Sequence, residues 1–217
     1  MVVTGYRSTD RAFFERDVLD VAPDLLGCVL RRSDDDGVVA IRITEVEAYA
    51  GERDPGAHAY RGKTARNATM FGPAGHIYCY FSYGLHHAIN LVTTGVGKPY
   101  GCLVRAGRVV EGEALARARR EQRRRSRVSE RDLARGPGCV AQVFGATLAD
   151  DGDDLFGGAW EFLIPDAPAR VVPATGPRVG VSGEAGDGAV FPWRFWIPGD
   201  PTVSVYRPGK RRQEEGR

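Results

Sequence analysis

Glu47 and Arg105 are the residues of this chain that chemistry could most readily use. Glu47 stands two residues after a second acid, Glu45, and two before Tyr49, within the stretch EVEAY. His58 follows eleven residues after Glu47, then Tyr78, Tyr80 and Tyr83 in a cluster, then Asn90 and Arg105. All four histidines fall between Glu45 and Arg105. A positioned carboxylate can take a proton from water, aromatic faces stack on flat rings, and arginine presents a fixed fork of donors. Acid, stacking aromatics and arginine together suggest a pocket for a flat, electron-poor ring. Singly, each has a plainer reading: a rim acid, sheet aromatics, a structural ion-pair partner.

The elements that must position these residues follow from periodicity. Residues 38–49 are rich in β-branched side chains and read as a strand, with Ile41, Ile43, Glu45, Glu47 and Tyr49 on one face by period two. Burying an unpaired charge is costly, so two acids ending an apolar face imply either a rim or a functional pocket. Residues 77–82 and 89–92 read as two strands with Tyr83-Gly84 at the tip of their hairpin, and 102–106 as a third. Three successive strands point to an antiparallel sheet. Before them, residues 8–16 read as a short helix capped by Ser8 or Thr9. Val18, Leu19, Ala22, Leu25, Leu26, Val29 and Leu30 recur at helical spacing, giving a helix that ends near Arg31 and Arg32. Asp34-Asp35-Asp36-Gly37 is a turn signal, and residues 51–70 read as irregular. Residues 111–127 are expected to form an exposed, arginine-rich helix, with a break at Gly136-Pro137-Gly138. Short strands follow at 160–164, 179–181, 195–197 and 203–206, and the tail from 210 to 217 is expected to fray. The expectation is one α+β domain over residues 1–217, with a curved, mainly antiparallel sheet and surrounding helices.

Composition narrows the function. The 217 residues carry a net charge of +2, with 42% hydrophobic and 27% charged residues, as in an ordinary soluble globular protein. No apolar run approaches the roughly 20 residues that span a bilayer, and the first residues lack a secretion signal. A cytoplasmic protein with no membrane partner is expected. Cys28, Cys79, Cys102 and Cys139 are far apart among apolar neighbours, which predicts buried, reduced thiols and no metal site. The adjacent His86 and His87 point apart on a strand, a poor arrangement for one metal. Charge is unevenly spread: residues 105–135 hold eleven arginines against five acids, a local +6. That run suits either a polyanion on one face or a solvated helix. Gly95-Val96-Gly97-Lys98 fails both the dinucleotide and the P-loop patterns, and no nucleophile elbow is present.

ITEVEAYAGERDPGAH, TARN, MFGPAGHIYCYFSYG, the following Asn90 and LVRA at 103–106 resemble the alkyladenine (3-methyladenine) DNA glycosylases. Weaker similarity runs from Leu25 to about Val205. The resemblance implies a monomeric, cofactor-free enzyme that binds duplex DNA and excises damaged purines. It implies that Glu47 is the base that deprotonates water and that Arg105 positions this water and the phosphate. Tyr49, His58, Tyr80 and Asn90 would line the base pocket, with Asn90 disfavouring normal guanine. Tyr83 would fill the gap left in the duplex, and Thr64 and Arg66 would meet the DNA backbone. One departure is Gly136-Pro137-Gly138-Cys139-Val140, where family members commonly carry lysine at the position of Cys139.

Two rivals remain at this level. A non-catalytic nucleic-acid-binding β domain would need the basic helix and the aromatics but not Glu47. A glycosidase acting on free nucleosides or sugars would need a paired general acid, for which Glu45 is the only nearby candidate. The expected wedge is directly testable: Tyr83→Ala should weaken binding to a lesion duplex and slow excision, at a cost on the order of 1–3 kcal/mol. Unchanged affinity and rate on a paired lesion would remove Tyr83 from that role.

Overall fold

Alternating β-branched and small residues after the Asp35-Asp36 turn build one long strand on which the fold is assembled. The computed structural model describes residues 4–82, 84–122, 126–167 and 172–209. Its strands are β1 (Tyr6–Ser8), β2 (Val29–Asp34), β3 (Gly37–Ala50), β4 (Ile77–Ser82), β5 (His86–Thr93), β6 (Tyr100–Glu111), β7 (Ala134–Arg135), β8 (Trp160–Pro165), β9 (Ala174–Gly176) and β10 (Arg194–Trp196). The α-helices are α1 (Val18–Asp24), α2 (Glu113–Glu121) and α3 (Pro137–Phe144). The strands form one antiparallel sheet in the order β1-β8-β2-β3-β6-β5-β4. β7 pairs with β6, and β9 pairs with β10, which lies against the second half of β3. The α+β class and the β4–β5–β6 meander agree with the sequence expectation.

The phase of β3 does not. Ile41 and Ile43 lie in the core, and so do Val46, Ala48 and Ala50. The alternation therefore flips between Ile43 and Val46. The β3–β6 pairing steps over Thr44 on one strand, where Ile43 faces Gly107 and Glu45 faces Ala106. It then steps over Arg105 on the other, where Val46 faces Val104. These paired bulges turn Glu45, Glu47 and Tyr49 away from the apolar face that strict period two would have given them.

The first segment is also corrected. Residues 8–16 are not a helix: Tyr6–Ser8 pairs with β8, and only Arg11–Phe13 makes a 3-10 turn, entered from Asp10. The second helix is shorter than its periodicity, because Gly27 takes φ +85° and the chain turns into the sheet through Gly27 N–H to Ile43 O. Val29 and Leu30 are then strand residues of β2. Within the stretch expected to be irregular, Gly51–Arg53 and Ala65–Phe71 are 3-10 segments. Residues 179–181 and 203–206 are not strands; the strand lies earlier, at β9. The tail 210–217 is outside the described residues.

The arginine-rich run is not a free stripe. Arg117 pairs with Glu113 and Glu121, and Arg119 with Asp34 and Asp36. Arg119 also caps α3 through the Phe144 carbonyl at 2.9 Å, while buried Arg120 bonds Leu133 O and Gln142. These side chains tie α2 to the sheet and to α3; Arg123, Arg124 and Arg125 lie outside the described residues. The core joins Phe14, α1, α3 and the apolar face of β3 and β6, with Trp160 fully buried against Phe144. Cys28, Cys79 and Cys102 are buried as expected, whereas Cys139, also expected to be buried, is only half-buried in α3. Burial pushes the Cys28 and Cys79 thiols up to about 12. Among the described residues no helix is long and apolar enough to cross a membrane.

Gly107, opposite Ile43 at the bulge, packs closely against β3. A Cβ there would stand 2.8 Å from the Arg42 carbonyl and 2.9 Å from Ile41 Cδ1. Backbone cannot yield as a flexible side chain can, so Gly107→Ala should lower stability by about 1–3 kcal/mol, read by urea unfolding. Unchanged stability would show that the two strands can part at the bulge.

Candidate active site

Below the bulge, β3, β5 and β6 each turn polar or aromatic side chains toward the same side. There they meet β4, the 54–58 segment and the 177–182 turn around a cavity of about 510 Å³. Glu47, Tyr49, His58, Arg66, Tyr80, Asn90 and Arg105 all line it. The sequence scattered these seven over 59 positions, and the sheet brings them to one wall. Tyr83 lies outside the described residues, although Ser82 beside it lines the cavity. Thr64 does not line it: its N–H bonds Asn67 Oδ1 at 2.7 Å at the head of the Ala65–Phe71 segment.

Glu47 is fully buried and held on both oxygens. Oε1 accepts the Val179 N–H at 2.6 Å. Oε2 accepts the Tyr49 hydroxyl at 2.9 Å and Arg105 Nη1 at 3.3 Å. Burial, followed by the Glu47 carboxylate, pushes the Tyr49 phenol well above its usual range. Tyr49 is therefore a donor to Glu47 and not a competing base.

Arg105 stands between the two acids. Its Nε donates to Glu45 Oε1 at 3.1 Å. Burial pulls its pKa down, but Glu47 and Glu45 more than offset this, and it ends raised. Glu45 shares the Glu47 face, as expected, yet it does not line the cavity. It is fully buried and accepts Arg194 Nε at 2.6 Å, the Ser204 N–H at 2.6 Å and the Ser204 hydroxyl at 2.9 Å. Glu45 thus fixes the arginine that serves Glu47.

The aromatic wall is set by β4. Tyr78 and Tyr80 stack with ring centroids 5.4 Å apart, and His58 meets Tyr80 edge-on at 4.4 Å. His58 Nδ1 lies 3.2 Å from the Tyr78 hydroxyl. Burial, followed by Arg66, lowers the His58 pKa, which favours the neutral ring. Asn90 is buried with its Nδ2 donating to Tyr78 O at 3.2 Å, which fixes the amide at the cavity floor beside Leu103. Arg66 lies at the mouth, its Nη2 on the Phe81 carbonyl at 2.9 Å and its guanidinium 5.8 Å from the Tyr80 ring centre. Such a slot can hold a flat ring between aromatic faces and present it to a carboxylate.

Sequence reasoning missed four residues here. Val179 was placed on a strand, and its backbone N–H left no trace in the sequence. Arg178 and Arg194 carried no motif, and Asp54, although inside ITEVEAYAGERDPGAH, was not singled out. The only available signal was that two buried acids demand cations nearby.

A family model described as methylpurine-DNA glycosylase (MPG) matches residues 12–201. A curated protein of Streptomyces avermitilis is 51% identical over 210 residues, covering 93% of this chain and 94% of its own length. One from Leifsonia xyli is 52% identical over 190 residues, covering 87% and 88%. One from Burkholderia lata is 47% identical over 197 residues, covering 89% of each. All three carry the name "Putative 3-methyladenine DNA glycosylase".

The geometry of Glu45 yields a test that the sequence would have set differently. As a bystander, Glu45→Gln would be harmless. As the buried partner of two arginines, its neutralisation should cost about 3–5 kcal/mol of stability, measured by chemical denaturation. Wild-type stability in that variant would show that Arg105 and Arg194 find their charge balance elsewhere.

Proposed function

The chain belongs to the methylpurine-DNA glycosylase family and is a DNA glycosylase; from that premise we propose how this site excises its base. The substrate is duplex DNA carrying alkylated or deaminated purines of the 3-methyladenine type. The damaged nucleotide leaves the stack, at least cost where its pairing is already weakened. Its base enters the slot formed by Tyr49, His58 and Tyr80. Tyr83 fills the vacated position in the duplex, and Thr64 and Arg66 meet the backbone. The protein acts as a monomer.

Chemistry then falls to Glu47. It takes a proton from water as the water oxygen bonds the sugar C1′. The C1′–N bond breaks, and its electron pair moves into the purine ring. An alkylated ring carries positive charge, so this step neutralises the leaving group. Arg105 holds the water and the phosphate on the side of Glu47. Asn90, pinned by Tyr78 O, crowds the exocyclic amine of guanine and disfavours the normal base. Lysine is absent from the residues lining the cavity among those described, which supports hydrolysis without a Schiff-base step or strand cleavage.

The observation that carries this reading is Glu47 itself: a fully buried carboxylate in the wall of an aromatic slot, oriented by three donors. Glu47→Gln keeps the shape and removes the base. Excision from a lesion duplex should fall at least ~100-fold, while affinity for that duplex persists. Alkaline cleavage of abasic sites gives the rate, and an intact strand before alkali confirms the lack of a lyase step. Full excision by Glu47→Gln would overturn the role of Glu47 and revive a structural reading of this acid.

A further inference from the structure

Arg178 does not line the cavity, and it is fully buried. Its guanidinium nevertheless binds three segments: β3 at Ala48, the 54–58 segment at Asp54, and Ala185 after the 177–182 turn. Nη1 donates to Asp54 Oδ2 at 2.5 Å and to Ala48 O at 3.0 Å. Nη2 donates to Asp54 Oδ1 at 2.7 Å and to Ala185 O at 3.1 Å. The face of the fork lies 4.5 Å from the Tyr49 ring centre, with Trp193 at 5.4 Å. Asp54 in turn accepts the N–H groups of Gly56 and Ala50, at 2.8 Å and 3.3 Å.

The consequence reaches both oxygens of Glu47. Val179, the next residue in the chain, supplies the N–H on Oε1, and Tyr49, under the guanidinium, supplies the hydroxyl on Oε2. Packing alone does not account for the pair, because a fully buried ion pair is often no more stabilising than apolar side chains of the same volume. What the pair adds is direction: a planar fork makes four bonds to three segments at once, which a lysine cannot do. Gly56 shows how closely the segment is drawn in, since a Cβ there would stand 2.8 Å from Nη2.

We propose that the buried Arg178–Asp54 pair is the positioning device of this site, holding the Val179 N–H and the Tyr49 hydroxyl on Glu47 and so aiming the carboxylate at the cavity. The proposal rests on Glu47 being the base. Arg178→Lys and Asp54→Asn are compared with wild type and Glu47→Gln on a duplex bearing a lesion that the wild type removes. Single-turnover excision is followed across pH, with lesion-duplex affinity and thermal unfolding measured alongside.

Arg178→Lys should excise ~100-fold more slowly, the scale of a small misplacement at a reacting centre, while still binding the lesion duplex. The acid limb of its pH profile should move to higher pH, because donors that favour the ionised carboxylate have been loosened. Asp54→Asn should move both readouts in the same direction. A slower rate with an unmoved acid limb would mean a purely structural pair and overturn the proposal, as would an unchanged rate. Glu47→Gln separates the two claims. If it retains excision, the base assignment falls, and the positioning role falls with it. If it is inactive while Arg178→Lys matches wild type in rate and acid limb, positioning alone falls. Should Arg178→Lys lose its cooperative thermal transition, the isosteric Asp54→Asn decides on the same two readouts.

Discussion

Two carboxylates, Glu45 and Glu47, are buried two residues apart on one strand, and much of the molecule answers to them. Buried charge is tolerated only when paired and fully hydrogen-bonded. Arg105 comes from β6, Arg194 from β10, Ser204 from the segment after β10, and Val179 from the turn after β9. The last third of the chain, which looks like an irregular appendage, therefore joins Arg105 in supplying counter-charge and donors to the central strand. It closes over Glu45 completely and leaves Glu47 in a cavity wall.

This division explains why two acids on one face do different things. Glu45 has its lone pairs taken by Arg105, Arg194 and Ser204, which leaves it a structural ion. Glu47 is served by one arginine, one phenol and one backbone N–H, and faces aromatic side chains across an open slot. The aromatic side is also internally braced: Tyr78 carries the stack with Tyr80, touches His58, and accepts the Asn90 amide on its carbonyl. A slot whose walls are bonded to one another has little freedom to reorganise when a ring enters, which favours selectivity by shape.

The central hairpin and the α+β class were legible because the β4 and β5 segments are short, β-rich runs around a turn, and the seven cavity residues because they sit in a dense motif. Other features were not, for physical reasons. A β-bulge leaves no mark in hydrophobic periodicity except a phase slip, and EVEAYA reads smoothly through it. Residues 25–30 mimic a helix because a buried strand and a buried helix share apolar composition; Gly27 was the cue that the chain would turn. The arginine-rich run gave its charge correctly but not its use, since Asp34, Asp36 and the end of α3 that bind Arg119 are distant in sequence. Backbone donors such as Val179 N–H are invisible at any level of sequence pattern.

The paired bulges carry a consequence for how such a chain can change over evolutionary time. One strand skips at Thr44 and its neighbour skips at Arg105, so these two slips cancel and the ladder from Ile41 to Ala50 keeps one register on either side of them; a separate slip lies at the start of the pairing, between Ala40 and Ile41. A single inserted or deleted residue in either strand would break parity: it would turn Glu47, or Arg105, from the cavity toward the apolar side. Only a matching change in the partner strand restores the fit. Loops at either end are free to vary in length, whereas the distance in residues from Ile43 to Glu47 on one strand, and from Leu103 to Gly107 on the other, is inherited as a single joint character.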